Sequence, residues 1–377
     1  MTDRTIIFDQ SIDGHHLEYV HHLFWAASEN RDAEYYFILN PKFKEKKDIL
    51  EWPNANNIKI DYFTGSELVN FKKNALFASF YLSRALQKRV KKFEATNIFL
   101  INIISFLPFI IFFIDKKIKV SGIVYLIYLY RWKRSNIFVK CQDILKYTLF
   151  SRLRIFDRIF LLNDNISPFY LNRKFKTKAF KYLPDPIFIS FEENDKNLRD
   201  KLNIPKNQKV FLHCGALTER KGTLEILRAI NSGGINNLQN FCFVFAGKVG
   251  EDIKEEFYQY VNSSDANIIV YDEYCSYQFL SDLCYSCDFI LMPYKVNEQS
   301  SGILNYSALF DKKVIAVKDG LIGKIVKKYS LGYMIDESKS EKIISQLNDL
   351  EISPLITSKY VAYIKDKQIE EFTRRIL

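Results

Sequence analysis

The chain has 377 residues, of which 48% are hydrophobic and 26% charged; such a composition excludes a disordered chain, and the length suits two domains with cores of their own. The net charge of +10 is uneven: residues 1–187 carry 30 Lys and Arg against 18 Asp and Glu, and residues 188–377 carry 24 against 26. The first half is therefore expected to meet something anionic, a membrane surface or a nucleic acid.

In chain order, the first half alternates short apolar runs with helical patterns. Strands are predicted at Thr5–Phe8, Tyr35–Leu39, Ile58–Phe63, Ile98–Asn102, Val120–Tyr128 and Ile159–Leu162. Apolar strands separated by amphipathic helices indicate a parallel sheet covered on both faces, and right-handed crossovers make it doubly wound. Residues 68–93 form a long helical pattern with Lys72, Lys73, Arg84, Lys88, Arg89, Lys91 and Lys92 and no acidic residue. A helix of that kind either lies on an anionic membrane or packs on its own domain and shows its cations to water. The apolar stretch 98–114 contains Asn102, Ser105 and Pro108, so it reads as a strand, a turn and a buried helix with Pro108 in its first turn rather than as a membrane span.

Two prolines in YLPDP (182–186) and the polar run 192–196 mark the join. Strands then follow at Val210–Cys214, Phe241–Ala246, Ile268–Val270, Phe289–Met292 and Val314–Val317, with helices at about 222–232, 251–262, 276–286, 301–310 and 321–330. This predicts an α/β protein of two Rossmann-like doubly wound domains, 1–187 and 188–358, facing across a cleft, with ligands at the carboxyl ends of the strands. A last helical segment, 359–377, is placed to pack back on the first domain.

Two places look built for phosphate. KVFLHCGALTERKG (209–222) runs from a buried strand through Gly215 and a polar turn, with Arg220 and Lys221, into an apolar-periodic helix. A helix start and side-chain cations together can hold an anion, although a basic turn is also an ordinary solvated corner. Further on, Ser300, Ser301 and Gly302 open a helix after the strand Phe289–Met292; small residues there expose backbone N–H groups, and they also make a plain N-cap.

Together with VFAGK (244–248), CDFILMPY (287–294), KVIAVKDGLIGKIV (313–326) and YLPDPI (182–187), these motifs make the second half resemble the retaining family 4 glycosyltransferases of the GT-B fold. The first half matches more loosely, through Gly14 after the first strand. The resemblance implies that Lys221, with Arg220, contacts the diphosphate of a nucleotide-sugar donor, that Gly215 shapes the turn, and that Ser300, Ser301 and Gly302 cradle the diphosphate. It also implies transfer without a metal or other cofactor, since no DxD motif is present, and retention by front-face displacement assisted by the leaving diphosphate.

The chain departs from the family pattern in several places. Where relatives carry two glutamates eight residues apart, ungapped alignment on Gly302 puts Gln299 and Ser307, with Glu298 one residue out of register. Ala216 stands where an Arg often follows the first glycine of the turn. YLYRWKR (128–134) lacks the histidine many relatives have there; four of the five histidines sit instead at His15, His16, His21 and His22. His15 and His16 follow Gly14 near the end of the first strand, so either is expected to line the donor or acceptor site, the alternative being cap and surface positions.

Cys284 and Cys287 form a CxxC with no second pair or His cluster, so buried thiols in a reducing compartment are expected and a zinc site is not. The start, MTDRTIIFDQ, has no signal-peptide layout. The reading is a cytoplasmic glycosyltransferase, peripheral on the inner face of the cell membrane. It would move a sugar from a nucleotide-diphosphate donor to a cell-surface glycan or lipid-linked acceptor, with an anionic membrane and no nucleic acid as partner. Its rival is an inactive glycosyltransferase-like subunit that binds a nucleotide or a partner enzyme.

Overall fold

A computed structural model describes residues 3–11, 16–46, 51–187, 193–296, 298–350 and 357–377. The chain divides into two compact units, Met1–Asp185 with Ile369–Leu377, and Pro186–Gln368.

In the first unit, β1 (Asp3–Asp9), β2 (Ala33–Leu39), β3 (Ile58–Tyr62), β4 (Asn97–Leu100), β5 (Lys119–Val124), β6 (Phe156–Leu162) and β7 (Phe180–Leu183) form one sheet. Its order is β3-β2-β1-β4-β5-β6-β7, and every pairing is parallel. The order reverses between β1 and β4, so the ligand crevice of this sheet type lies beyond their carboxyl ends. Ile7, Phe37, Phe99, Ile123 and Phe160 form a core on one face with Tyr19, Leu23 and Phe24. Those three come from the helix His16–Glu29. Phe372 and Ile376 of the last helix, Ile369–Ile376, enter the same core.

The second unit has a six-stranded parallel sheet of its own. Its strands are β8 (Lys209–Cys214), β9 (Phe241–Ala246), β10 (Asn267–Tyr271), β11 (Phe289–Met292), β12 (Lys313–Val317) and β13 (Gly332–Ile335). Their order is β10-β9-β8-β11-β12-β13. All six residues of β9 are buried, as expected for a strand covered on both faces. The switch point falls between β8 and β11, and both phosphate-like motifs leave the sheet there.

Three expectations needed correction. The pattern over 68–93 is two helices, Gly65–Phe71 and Ala75–Phe93, because Asn74 caps the second by accepting from the Phe77 N–H at 3.2 Å. Strand β5 stops at Val124, and Tyr128–Arg131 is a helical turn. After β4 comes a 3-10 turn, Ile103–Phe106, then a single helical turn, Ile110–Phe113, that Pro108 precedes rather than enters. No helix among the described residues is long and apolar enough to cross a membrane.

Candidate functional site

In the second unit, β8 ends at Cys214 and the chain turns at Gly215, whose φ is +87°. Glycine is required here twice over. The left-handed backbone disfavours a side chain, and a Cβ would stand 2.4 Å from the Lys221 Nζ. Gly222, with φ +73°, closes the turn, and a Cβ there would meet the Pro293 carbonyl oxygen at 2.2 Å.

Between these glycines the chain makes a 3-10 turn, Glu219–Lys221, before the helix Thr223–Ile230. The N–H groups of Lys221 and Thr223 go to the Thr218 carbonyl, and that of Gly222 goes to Glu219. The first N–H of this helix is therefore bonded within the turn, whereas those of Leu224 and Glu225 have no acceptor among the described residues. What the turn offers an anion is a side-chain cation together with these two backbone donors.

That cation is Lys221. Its side chain is folded back and buried, with Nζ donating to the Cys214 carbonyl at 3.1 Å and lying 5.3 Å from the centre of the Tyr294 ring. No carboxylate pairs with it among the described residues, although the next lysine in the site, Lys295, bonds both Glu219 and Glu225. A buried ammonium with one carbonyl and one ring face is under-compensated. Arg220 is exposed beside it, and its backbone carbonyl accepts from the N–H of Lys295 at 2.9 Å. The β8 turn is thereby tied to the loop after β11.

Behind the turn, His213 is fully enclosed. One ring nitrogen, Nδ1, donates to the Leu291 carbonyl at 2.9 Å, and Nε2 accepts from the Thr223 hydroxyl at 3.0 Å. Burial pushes this imidazole down to about 3, so it is neutral and links β8, β11 and the helix after the turn. Sequence reasoning passed over His213 and Tyr294 because each acts through a partner distant in sequence.

After β11, the buried Tyr294 hydroxyl lies 3.4 Å from the Ser301 Oγ. Gly302 precedes the helix Ile303–Leu309, and the N–H groups of Gly302 and Ile303 have no acceptor among the described residues. Gly215, Lys221, Tyr294 and Ser301 thus form one connected group. Glu298, Gln299 and Ser300 are half-buried nearby in sequence. Ser307 is fully buried and its hydroxyl donates to the Leu304 carbonyl at 2.8 Å, which directs it into its own helix. Among the described residues no group of three His, Cys, Asp or Glu side chains could hold a metal ion.

In the first unit, Gly14 and His15 lie outside the described residues. His16 opens the helix His16–Glu29, and its Nδ1 donates to both oxygens of Asp9, at 2.9 and 2.8 Å. Asp9 is the last residue of β1 and is buried; burial pushes its carboxyl up, and the bond from His16 opposes that shift. The His16 ring stacks on Tyr125 at 5.8 Å. Asp185 accepts from the Tyr19 hydroxyl at 2.5 Å. Asp9 went unnoticed in the sequence, though a carboxylate closing an apolar strand seven residues before a histidine was a usable signal.

Residues 194–369 match the family of glycosyl transferases group 1. No curated protein sequence matches the chain. Among solved structures, HepE of Anabaena in complex with UDP-glucose is similar over 99% of this chain and 98% of its own, with a TM-score of 0.71 at 14% identity. Sucrose-phosphate synthase of Thermosynechococcus elongatus is similar over 99% and 93%, with a TM-score of 0.69 at 11% identity. WaaG, a glycosyltransferase involved in lipopolysaccharide biosynthesis, is similar over 98% and 94%, with a TM-score of 0.66 at 13% identity. At these identities the likeness is one of fold.

Proposed function

Carrying a group 1 glycosyltransferase domain over residues 194–369, the chain is a glycosyltransferase of the GT-B fold, and from that premise we propose a specific reaction. The donor is a nucleotide-diphosphate sugar bound at the carboxyl ends of β8 and β11. The acceptor is a hydroxyl of a cell-surface glycan or a lipid-linked saccharide, and the anomeric configuration is retained. One observation carries the reading: a buried lysine, Lys221, with no carboxylate partner among the described residues, at the switch point of the sheet. A diphosphate supplies the missing negative charge, and its demand for cations grows as the glycosidic bond breaks.

In the proposed step the acceptor oxygen bonds to the anomeric carbon on the face from which the diphosphate departs. The bond from that carbon to the diphosphate oxygen breaks, and the acceptor proton passes to a phosphate oxygen. Lys221 and Arg220 balance the charge, and the open N–H groups of Gly302 and Ile303, beside Ser300 and Ser301, bind the same anion. Glu298 or Gln299 is assigned to the sugar. Asp9 fixes His16 through Nδ1, which leaves Nε2 for a sugar hydroxyl. HepE was crystallised with UDP-glucose, so uridine donors come first in any screen.

The test is binding and hydrolysis of UDP-, GDP-, ADP- and CMP-sugars by wild type and Lys221→Ala, with metal chelated. One diphosphate donor should bind and turn over slowly, and the variant should lose at least about a hundredfold in turnover. Folded wild type that binds no donor would discard this site. Unchanged turnover in His16→Ala would remove that residue from the reaction.

A further inference from the structure

Three helices of the first unit share an arrangement that the transfer reaction does not use. They are Ala75–Phe93, Ile137–Arg152 and Ser167–Phe175, which lead into β4, β6 and β7. Each connection moves the same way across the sheet order, so right-handed crossovers put all three on one face with their first turns at the carboxyl edge.

Those first turns break two ordinary preferences. Helix starts favour acidic side chains, and none of the three has one in its first turn. Large apolar side chains favour burial, yet Leu76, Phe77, Ile137, Phe138, Phe169 and Tyr170 are 50–77% exposed. Cations accompany the first two groups: Lys72 and Lys73 stand before the first helix and Lys133 and Arg134 before the second, all four exposed. The basic residues of the third helix, Arg173 and Lys174, belong to its last turn, and Lys174 reaches back to within 5.9 Å of the Tyr170 ring centre. The carboxylates nearest the second and third starts are turned away from water, and Glu67, nearest the first, is half-buried with Arg89 donating to it at 2.9 Å. Asp143 is buried against Arg131 at 2.9 Å, and Asp164 is buried against the Tyr130 hydroxyl at 2.8 Å.

We propose that this edge docks on an anionic lipid bilayer, with Phe138 and Phe169 inserted at the headgroup level and the basic residues against the lipid phosphates. Apolar residues mixed with cations, with no exposed carboxylate in the first turns of these three helices, complement a surface that is greasy and negative together. A protein partner would have to match both properties at three separate helix starts. The carboxyl edge of an α/β sheet is also where its ligands bind, so docking there selects a lipid-linked acceptor; this second part rests on the transferase reading above.

The test is sedimentation of the full chain with vesicles of phosphatidylcholine alone or mixed equally with phosphatidylglycerol. Wild type should pellet with the mixed vesicles only. Phe138→Ser with Phe169→Ser should weaken binding at least about tenfold. Lys133→Glu with Arg134→Glu should weaken it further, since each cation is worth roughly fivefold at such a surface. Unchanged thermal unfolding and donor hydrolysis would show that the variants remain folded. Wild type that stays in solution with the mixed vesicles, or binding that neither variant alters, overturns the proposal; so does a wild-type dimer that the phenylalanine variant dissociates, which would give this face to a second copy. Vesicle binding without donor turnover would instead leave the docking intact and remove the transferase mechanism.

Discussion

The Lys221 ammonium is held by a single carbonyl and an aromatic ring in a buried place, where taking a charge out of water costs several kcal/mol. A structural role and a ligand role for this cation predict opposite results. If it waits for a diphosphate, Lys221→Met relieves an uncompensated charge while keeping most of the volume. Its thermal midpoint should then equal or exceed that of wild type, with donor turnover down about a hundredfold. A lowered midpoint with turnover preserved would make Lys221 a structural residue. His213 gives a second prediction at this scale. Its folded pKa, about 3, lies below the ordinary value near 6.5. Between those values the unfolded chain holds a proton that the folded chain does not, so stability is full above about pH 6.5 and falls on acidification. The loss approaches roughly 1.4 kcal/mol per pH unit from this group. Urea unfolding of wild type and His213→Gln over that range should show the shallower pH dependence in the variant; parallel curves would mean that His213 is protonated in the fold.

The elements that bring these residues together are set by packing across strands. Phe211 on β8 stacks on Phe243 of β9, centroids 5.4 Å apart, and on Phe289 of β11 at 5.2 Å, three positions in register. Removing the central ring should cost about 3–5 kcal/mol. Urea unfolding of Phe211→Ala measures it, and a loss under about 1 kcal/mol would mean that the neighbouring rings close the cavity. Strands like these are legible because a buried parallel strand is apolar throughout. Strand β7, FKYL, and the edge strand β13, GYMI, were not found; each is only four residues long, and exposed or half-buried positions break its apolar run. The join between the helices 65–71 and 75–93 was hidden for a related reason, since the apolar period continues through it and only the Asn74 cap marks the break. For the site, strand, turn and helix start could be read because each is local. The Lys221–Tyr294 and His213–Leu291 contacts could not, because they depend on which strand lies beside which.

At the scale of the molecule, the chain completes its first unit with its last nine residues, Ile369–Leu377. Phe372 is fully buried there with its ring 5.0 Å from that of Tyr19. The end of the helix is capped by Arg158, which donates to the carbonyls of Arg375 and Ile376 at 2.7 and 2.8 Å; a cation on the last carbonyls favours the helix dipole. All three tryptophans, Trp25, Trp52 and Trp132, fall within the first unit, so tryptophan emission reports that unit, while donor binding at Lys221 reports the second. With separate cores, damage to one unit need not spread to the other. Phe372→Ala should lower the tryptophan-monitored transition by about 3–5 kcal/mol and leave donor affinity at low denaturant intact. Phe211→Ala should do the reverse, weakening donor binding at denaturant concentrations where the tryptophan signal is still native. If either variant shifts both signals together, the units unfold as one block, and the independence argued from their separate cores fails.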